Sequence, residues 1–157
     1  MITRVHTISY ESMRSRADEL ARDKSAAIVS IIGTHTTAAT LCGTETRIFS
    51  DDTPHIVTVA FDEVAGPRTR VIDSQQANKI VTLIDRHHRR LKPVTLWVNC
   101  ALGVVRSGGI ALFARDFCAI PDDVFNEDHP PSKQKLADRF VYESLVRAAF
   151  RLRVIGG

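Results

Sequence analysis

Cysteine is scarce in this chain, with three in 157 residues and no two in Cys-x-x-Cys spacing. That excludes a disulfide scaffold and a cysteine-rich zinc site, and it fits thiols kept reduced in a cytoplasm. Long apolar runs are missing as well: nowhere do the ~18 residues needed to span a membrane occur together. The N-terminal stretch MITRVHTISYESMRSR is broken by charge before it reaches the roughly 7–15 apolar residues of a secretory signal. The expected location is therefore cytoplasmic, in a host cell if the gene is carried by a phage. Neither sign of charge dominates, with 21 Lys+Arg against 18 Asp+Glu and a net charge of +3. This excludes an acidic tail or an extended polybasic arm and tilts the chain only slightly toward anionic partners. What is present is apolar content of 44%, enough for one core in a single domain over residues 1–157.

The apolar pattern alternates between two periods. Thr3–Ile8 is β-prone, and Ser9 or the residues just after it can cap a helix to about Arg22, with Met13, Ala17 and Leu20 on one face. Ala26–Ile32 (AAIVSII) is a near-continuous β-branched run, as in a strand covered on both faces. Residues 33–46 read as loop. Ile56–Phe61 is a second strong strand, and Gly66-Pro67 marks the loop after it. Ser74 is the expected N-cap of a helix to about Leu91, with Ala77, Ile80, Ile84 and Leu91 along its inner stripe. Val94–Asn99 is the third core strand. Helical spacing returns from Ser107 to about Cys118, and 121–131 reads as loop. Ser132 then caps a last helix carrying Leu136, Phe140, Val141, Leu145, Val146 and Ala149. Strands alternating with helices predict an α/β fold, with helices flanking a mostly parallel central sheet.

The most informative stretch is VNCALGVVRSGG, where the strand ending at Asn99 turns into a helix. A loop at such a junction points backbone N–H groups inward at the positive end of the helix dipole, which suits an anion. Here the N–H groups of Ala101, Leu102, Gly103, Val104 and Val105 would line that cradle. A thiol at its mouth, Cys100, feels the same field and ionises more readily than a free cysteine. Arg106 is placed to fork two oxygens of a phosphate, Gly103 permits the tight backbone, and the Ser107 hydroxyl can reach the sulfur.

Cys100, Gly103, Arg106 and Ser107 resemble the His-Cys-x-x-Gly-x-x-Arg-Ser/Thr signature of the cysteine-dependent protein tyrosine and dual-specificity phosphatases. At ordinary residue frequencies the three companions follow a given cysteine roughly once in several thousand times. The likeness in element order to small prokaryotic and phage members of that superfamily runs over about residues 3–150, though only the signature loop is specific. The resemblance implies a phosphate loop between a core strand and a helix. It also implies Cys100 as nucleophile, Arg106 as phosphate clamp and Ser107 as the group that helps the thiolate leave. A carboxyl following another core strand supplies the proton: Asp62 first, Glu63 second, Asp73 third. It implies no metal or other cofactor. Asn99 stands where the family has histidine, and its amide can hydrogen-bond loop carbonyls. The Gly108-Gly109 pair in the first helical turn is unusual, marking either a loose helix start or a very close approach.

The remaining features have plainer readings. Cys42 and Cys118 are expected to be core residues, although a cysteine near Cys100 would trap its oxidised form as a disulfide. His87, His88, Arg89, Arg90 and Lys92 read as a solvated cap on a helix C-terminus, and adjacent histidines face apart, against a metal pair. Glu127, Asp128 and His129 lie in a loop that can overlook the pocket. Arg147, Arg151 and Arg153 are expected to face solvent, and no aromatic interleaving makes them a nucleic-acid patch. Three function classes follow. The first is a phosphomonoester hydrolase, by resemblance a protein tyrosine or dual-specificity phosphatase acting on phosphotyrosine or mixed phosphotyrosine and phosphoserine proteins. Its alternative substrates are a phosphoinositide, a nucleotide or an RNA 5′ phosphate. The second is a phosphate-binding relative with little turnover that recognises a phosphorylated partner. The third is a rhodanese-like sulfurtransferase, which the order Gly103, Arg106, Ser107 disfavours.

Overall fold

The computed structural model describes residues 1–34, 46–62, 70–101, 103–121, 124–126 and 138–153. Cys42, Glu63, Leu102, Glu127, Asp128, His129, Ser132 and Leu136 lie outside them, with the Gly66-Pro67 turn. The described strands are β1 (Ile2–Ser9), β2 (Ala26–Ile32), β3 (Ile56–Ala60), β4 (Val94–Cys100) and β5 (Val124–Asn126). They form one sheet of five strands in the order β3-β2-β4-β1-β5, and every pairing is parallel. The described helices are α1 (Tyr10–Ser15), α2 (Ala17–Arg22), α3 (Ser74–His88), α4 (Val105–Cys118) and α5 (Arg139–Arg151). The α/β architecture with a parallel sheet between helices is as the sequence predicts. No described helix is long and apolar enough to cross a membrane.

The side-chain alternation of the strands builds two cores. Ala27, Val29, Ile31, Leu96 and Val98 meet Ile80, Ile84, Ile110, Ala114, Leu145 and Ala148 of α3, α4 and α5. Ile28, Ile56 and Trp97 point to the other face, against Met13 and Leu20 of α1 and α2. This explains why Ala26–Ile32 shows no polar face. Because the strands are parallel, the C-terminal ends of β1, β2, β3 and β4 share one edge, with β4 in the middle.

The structure corrects several local expectations. The first helix is two, because Arg16 separates α1 from α2. The N-cap of α3 is Asp73, not Ser74: its carboxylate accepts from Gln76 N–H while the Gln76 side chain accepts from Asp73 N–H, a reciprocal capping box. The helix ends at His88, so Leu91 leaves the inner stripe and is 99% exposed. His87 is fully buried rather than a solvated cap. Its Nε2 bonds the Pro54 carbonyl at 2.9 Å, and burial first, then the charges of Arg90, His55 and Arg86, hold its pKa below the ordinary value against the opposing Pro54 bond. Strand β5 falls within the expected 121–131 loop. The last helix is capped by Asp138, which accepts from Phe140 and Val141 N–H groups, and Phe140 is half exposed. Arg147, Arg151 and Arg153 face solvent as expected.

Of the glycine pair, Gly109 is accounted for by close approach. A Cβ on Gly109 would lie 2.5 Å from the Asp138 carbonyl oxygen and 2.9 Å from Val141 Cβ. Asp138 N–H donates to the Val105 carbonyl at 3.0 Å, so the start of α5 is laced to the first turn of α4. Gly109→Ala gains helix propensity of ~1 kcal/mol but forces backbone against backbone. The expected net result is destabilisation of about 1–3 kcal/mol by urea denaturation; an unchanged or raised midpoint would contradict this packing.

Candidate active site

Strand β4 delivers Cys100 to the common edge, where it is 3% exposed. Gly103 N–H closes back on the Cys100 carbonyl at 3.2 Å, and Gly103 adopts φ +71°. A Cβ there would sit 2.5 Å from Ile8 C and 2.8 Å from Ser9 N. Conformation and space therefore both require glycine, because the loop rides directly on the backbone at the end of β1. Tyr10 N–H donates to the Ala101 carbonyl at 3.2 Å, and the Tyr10 hydroxyl donates to the Thr46 carbonyl at 3.0 Å. The β1–α1 junction thus holds the loop from beneath. Sequence reasoning missed this support, whose one visible signal is the Ser9 cap, the side chain that accepts from Ser12 N–H.

Helix α4 begins at Val105, so Arg106 and Ser107 lie in its first turn, two positions earlier than the sequence suggests. Asp73 and Asp138 cap α3 and α5, whereas no side chain caps α4. The Ser107 hydroxyl lies 3.3 Å from Cys100 Sγ, with both groups buried. Arg106 is 4% exposed and donates from Nη1 to the Phe61 carbonyl at 2.8 Å. That bond joins the α4 terminus to the end of β3, immediately beside Asp62.

Asp62 sits at the expected edge with its carboxylate already engaged. It accepts from Thr34 N–H at 2.9 Å, from the Thr34 hydroxyl, and from Arg70 N–H at 2.9 Å. Burial pushes the Asp62 carboxyl up, but the bonds from Thr34 and Arg70 and the Arg106 charge outweigh it and hold the carboxyl below its ordinary value. The carboxylate therefore staples the segments after β2 and β3. Asp73 is committed to capping α3, and Gln76 of that cap reaches the Ala60 carbonyl at 2.6 Å.

Asn99 does not turn to the loop. It is fully buried, and its Nδ2 donates to the Ile31 carbonyl of β2 at 3.4 Å. Ser30 is its register partner, and Thr58 is that of Ser30. The three side chains form a buried polar row behind the loop, with Asn99 Oδ1, Ser30 Oγ and Thr58 Oγ1 unpartnered. Only strand pairing reveals this row. Cys118 lies at the far end of α4, about 20 Å of helix from the loop, beyond the ~7 Å that a disulfide tolerates. Burial first, then Asp85, pushes its thiol up to about 12, so it stays protonated. Among the described residues no group of His, Cys, Asp and Glu has the makings of a metal site. Comparison with family models, with curated proteins and with solved structures finds no match in any of the three.

Proposed function

We propose that the chain is a phosphomonoester hydrolase working through a phosphocysteine at Cys100. The resemblance of the loop favours phosphotyrosine or mixed phosphotyrosine and phosphoserine proteins as substrates. The observation that carries the reading is the convergence of Cys100, its bonded Ser107 and the buried Arg106 on a helix start that no side chain caps. In the first step the Cys100 thiolate attacks phosphorus and the bond to the leaving oxygen breaks. Arg106 and the loop amides balance the charge on the equatorial oxygens, and Asp62 gives its proton to the leaving oxygen. In the second step Asp62 takes a proton from water, the water oxygen bonds phosphorus, and the S–P bond breaks. The Ser107 hydroxyl bonds the departing sulfur, and inorganic phosphate is released. The scheme requires no metal, since the protein's own donors supply the positive field.

A proton donor must carry its proton. Because Asp62 is held below its ordinary value, the fraction able to donate shrinks as pH rises, and the rate is expected to climb toward acid pH. Asp62→Asn should flatten that limb and lower kcat by ~10²-fold on phenyl phosphate, whose leaving group needs a proton. p-Nitrophenyl phosphate, with its better leaving group, should suffer less. A variant with unchanged rates and pH profile would move the role to Glu63.

The engagement of Asp62 with Thr34 and Arg70 also favours a second reading, a phosphate-binding module with slow turnover. Hydrolysis of p-nitrophenyl phosphate in the presence of EDTA separates the two. Turnover is expected; its absence on aryl phosphates and phosphotyrosine peptides would overturn the enzyme. Phosphate protection of Cys100 from iodoacetate without turnover would establish the module instead.

A further inference from the structure

We propose that the sheet edge opposite the candidate active site carries a docking groove for an acidic peptide segment of a partner protein, one that also bears an apolar side chain. Strand β4 begins there at Val94 and ends at Cys100, so the two sites stand about 20 Å apart at strand rise. The groove has a volume of about 580 Å³ between the loops that follow α2 and α3. Lys24 from one loop and Arg90 and Lys92 from the other line it, and no carboxylate does. Among the described residues none of the three pairs with a carboxylate, whereas Arg47, Lys79, Arg89 and Arg139 all do. Its lining surface is almost wholly apolar, from Leu91, Pro93, the buried Val94 and the carbon stems of Lys24, Arg90 and Lys92.

A basic cap on the α3 dipole explains Arg86 and Arg89, but not this arrangement. Lys24 comes from a different helix end, and Leu91 is 99% exposed, which no capping role requires. The walls are also fixed in advance. Ser25 accepts from Thr95 N–H at 2.8 Å, and the Met1 amino group donates to the Arg90 and Lys92 carbonyls. Binding to prearranged walls costs little ordering entropy. Three cations around an apolar concavity match carboxylates flanking one apolar side chain, which would fill the groove and cover Leu91. A bilayer surface fits less well, because the apolar lining is concave and the exposed large apolar side chains beside it, among the described residues, are only Leu91 and the half-exposed Met1.

The test uses the full chain and a fluorescein-labelled peptide of alternating Glu and Leu, followed by anisotropy and by amide chemical shifts. Binding is expected to shift residues 24–25 and 90–94 and to weaken as salt rises. Lys24→Glu with Lys92→Glu should raise Kd at least ~10-fold, and Leu91→Ser should raise it several-fold, with unfolding midpoints near wild type because these side chains are exposed. Absence of binding, shifts at the Cys100 loop instead, or a Kd unmoved by the charge reversals would each overturn the proposal. So would binding to phosphatidylserine vesicles with no binding of the peptide, which would mark the surface as a membrane contact.

Discussion

Cys100→Ser is expected to lower kcat for p-nitrophenyl phosphate by on the order of 10³-fold or more while leaving the affinity for a phosphotyrosine peptide close to wild type. Serine keeps the shape of the side chain and its contact with Ser107, which lies 3.3 Å from the sulfur. It replaces the sulfur nucleophile that the proposed reaction needs with a hydroxyl, an intrinsically far weaker one. Retained binding is expected because the proposed scheme gives the phosphate to Arg106 and the backbone of the loop rather than to the sulfur. A cysteine that merely filled the end of β4 behaves otherwise, its replacement altering stability and leaving turnover untouched. Steady-state kinetics with calorimetric titration of the peptide distinguishes the two outcomes.

Arg106→Lys should be nearly as damaging, despite keeping the charge. A lysine ammonium is a point charge and cannot fork two phosphate oxygens, so kcat/KM is expected to fall about 10²–10³-fold, the usual loss when a preorganised transition-state donor is removed. The Phe61 carbonyl, which accepts from Nη1 at 2.8 Å, also loses its geometry. That couples the loop to the end of β3 and to Asp62, so the variant should lose part of its acid-side rate dependence. Inorganic phosphate should raise the unfolding midpoint of wild type by mass action and leave that of Arg106→Lys unmoved. An equal phosphate-induced shift in both proteins would remove Arg106 from the site.

What the sequence makes legible here is local. The Ala26–Ile32 strand is found at its expected bounds, because six β-branched or small apolar residues, with Ser30 as the one polar member, serve a strand buried on both faces. The spacing of Cys100, Gly103, Arg106 and Ser107 is equally local, since one tight turn and the first turn of α4 contain it. The left-handed Gly103 is foreseen by the need for a tight turn; that the neighbour it rides on is Ile8, almost a hundred positions earlier, is not. Partners from afar account for the other differences. His87 is buried because Pro54 offers its carbonyl. Leu91 continues the stripe of Ile84 at helical spacing, yet the helix stops three residues before it. Asp62 is found at the expected sheet edge, but Thr34 and Arg70, which engage its carboxylate, come from elsewhere in the chain. Asn99 serves β2 rather than the loop, since its strand neighbour Ile31 presents a carbonyl on that side.

The phosphocysteine itself is the most direct object to measure. Wild type mixed with p-nitrophenyl phosphate, quenched in acid within a single turnover and read by intact-mass and peptide mass spectrometry, should carry one phosphoryl group on the peptide containing Cys100, and Cys100→Ser should carry none. Turnover with no adduct at any quench time, or an adduct that persists in Cys100→Ser on another residue, would contradict catalysis through Cys100.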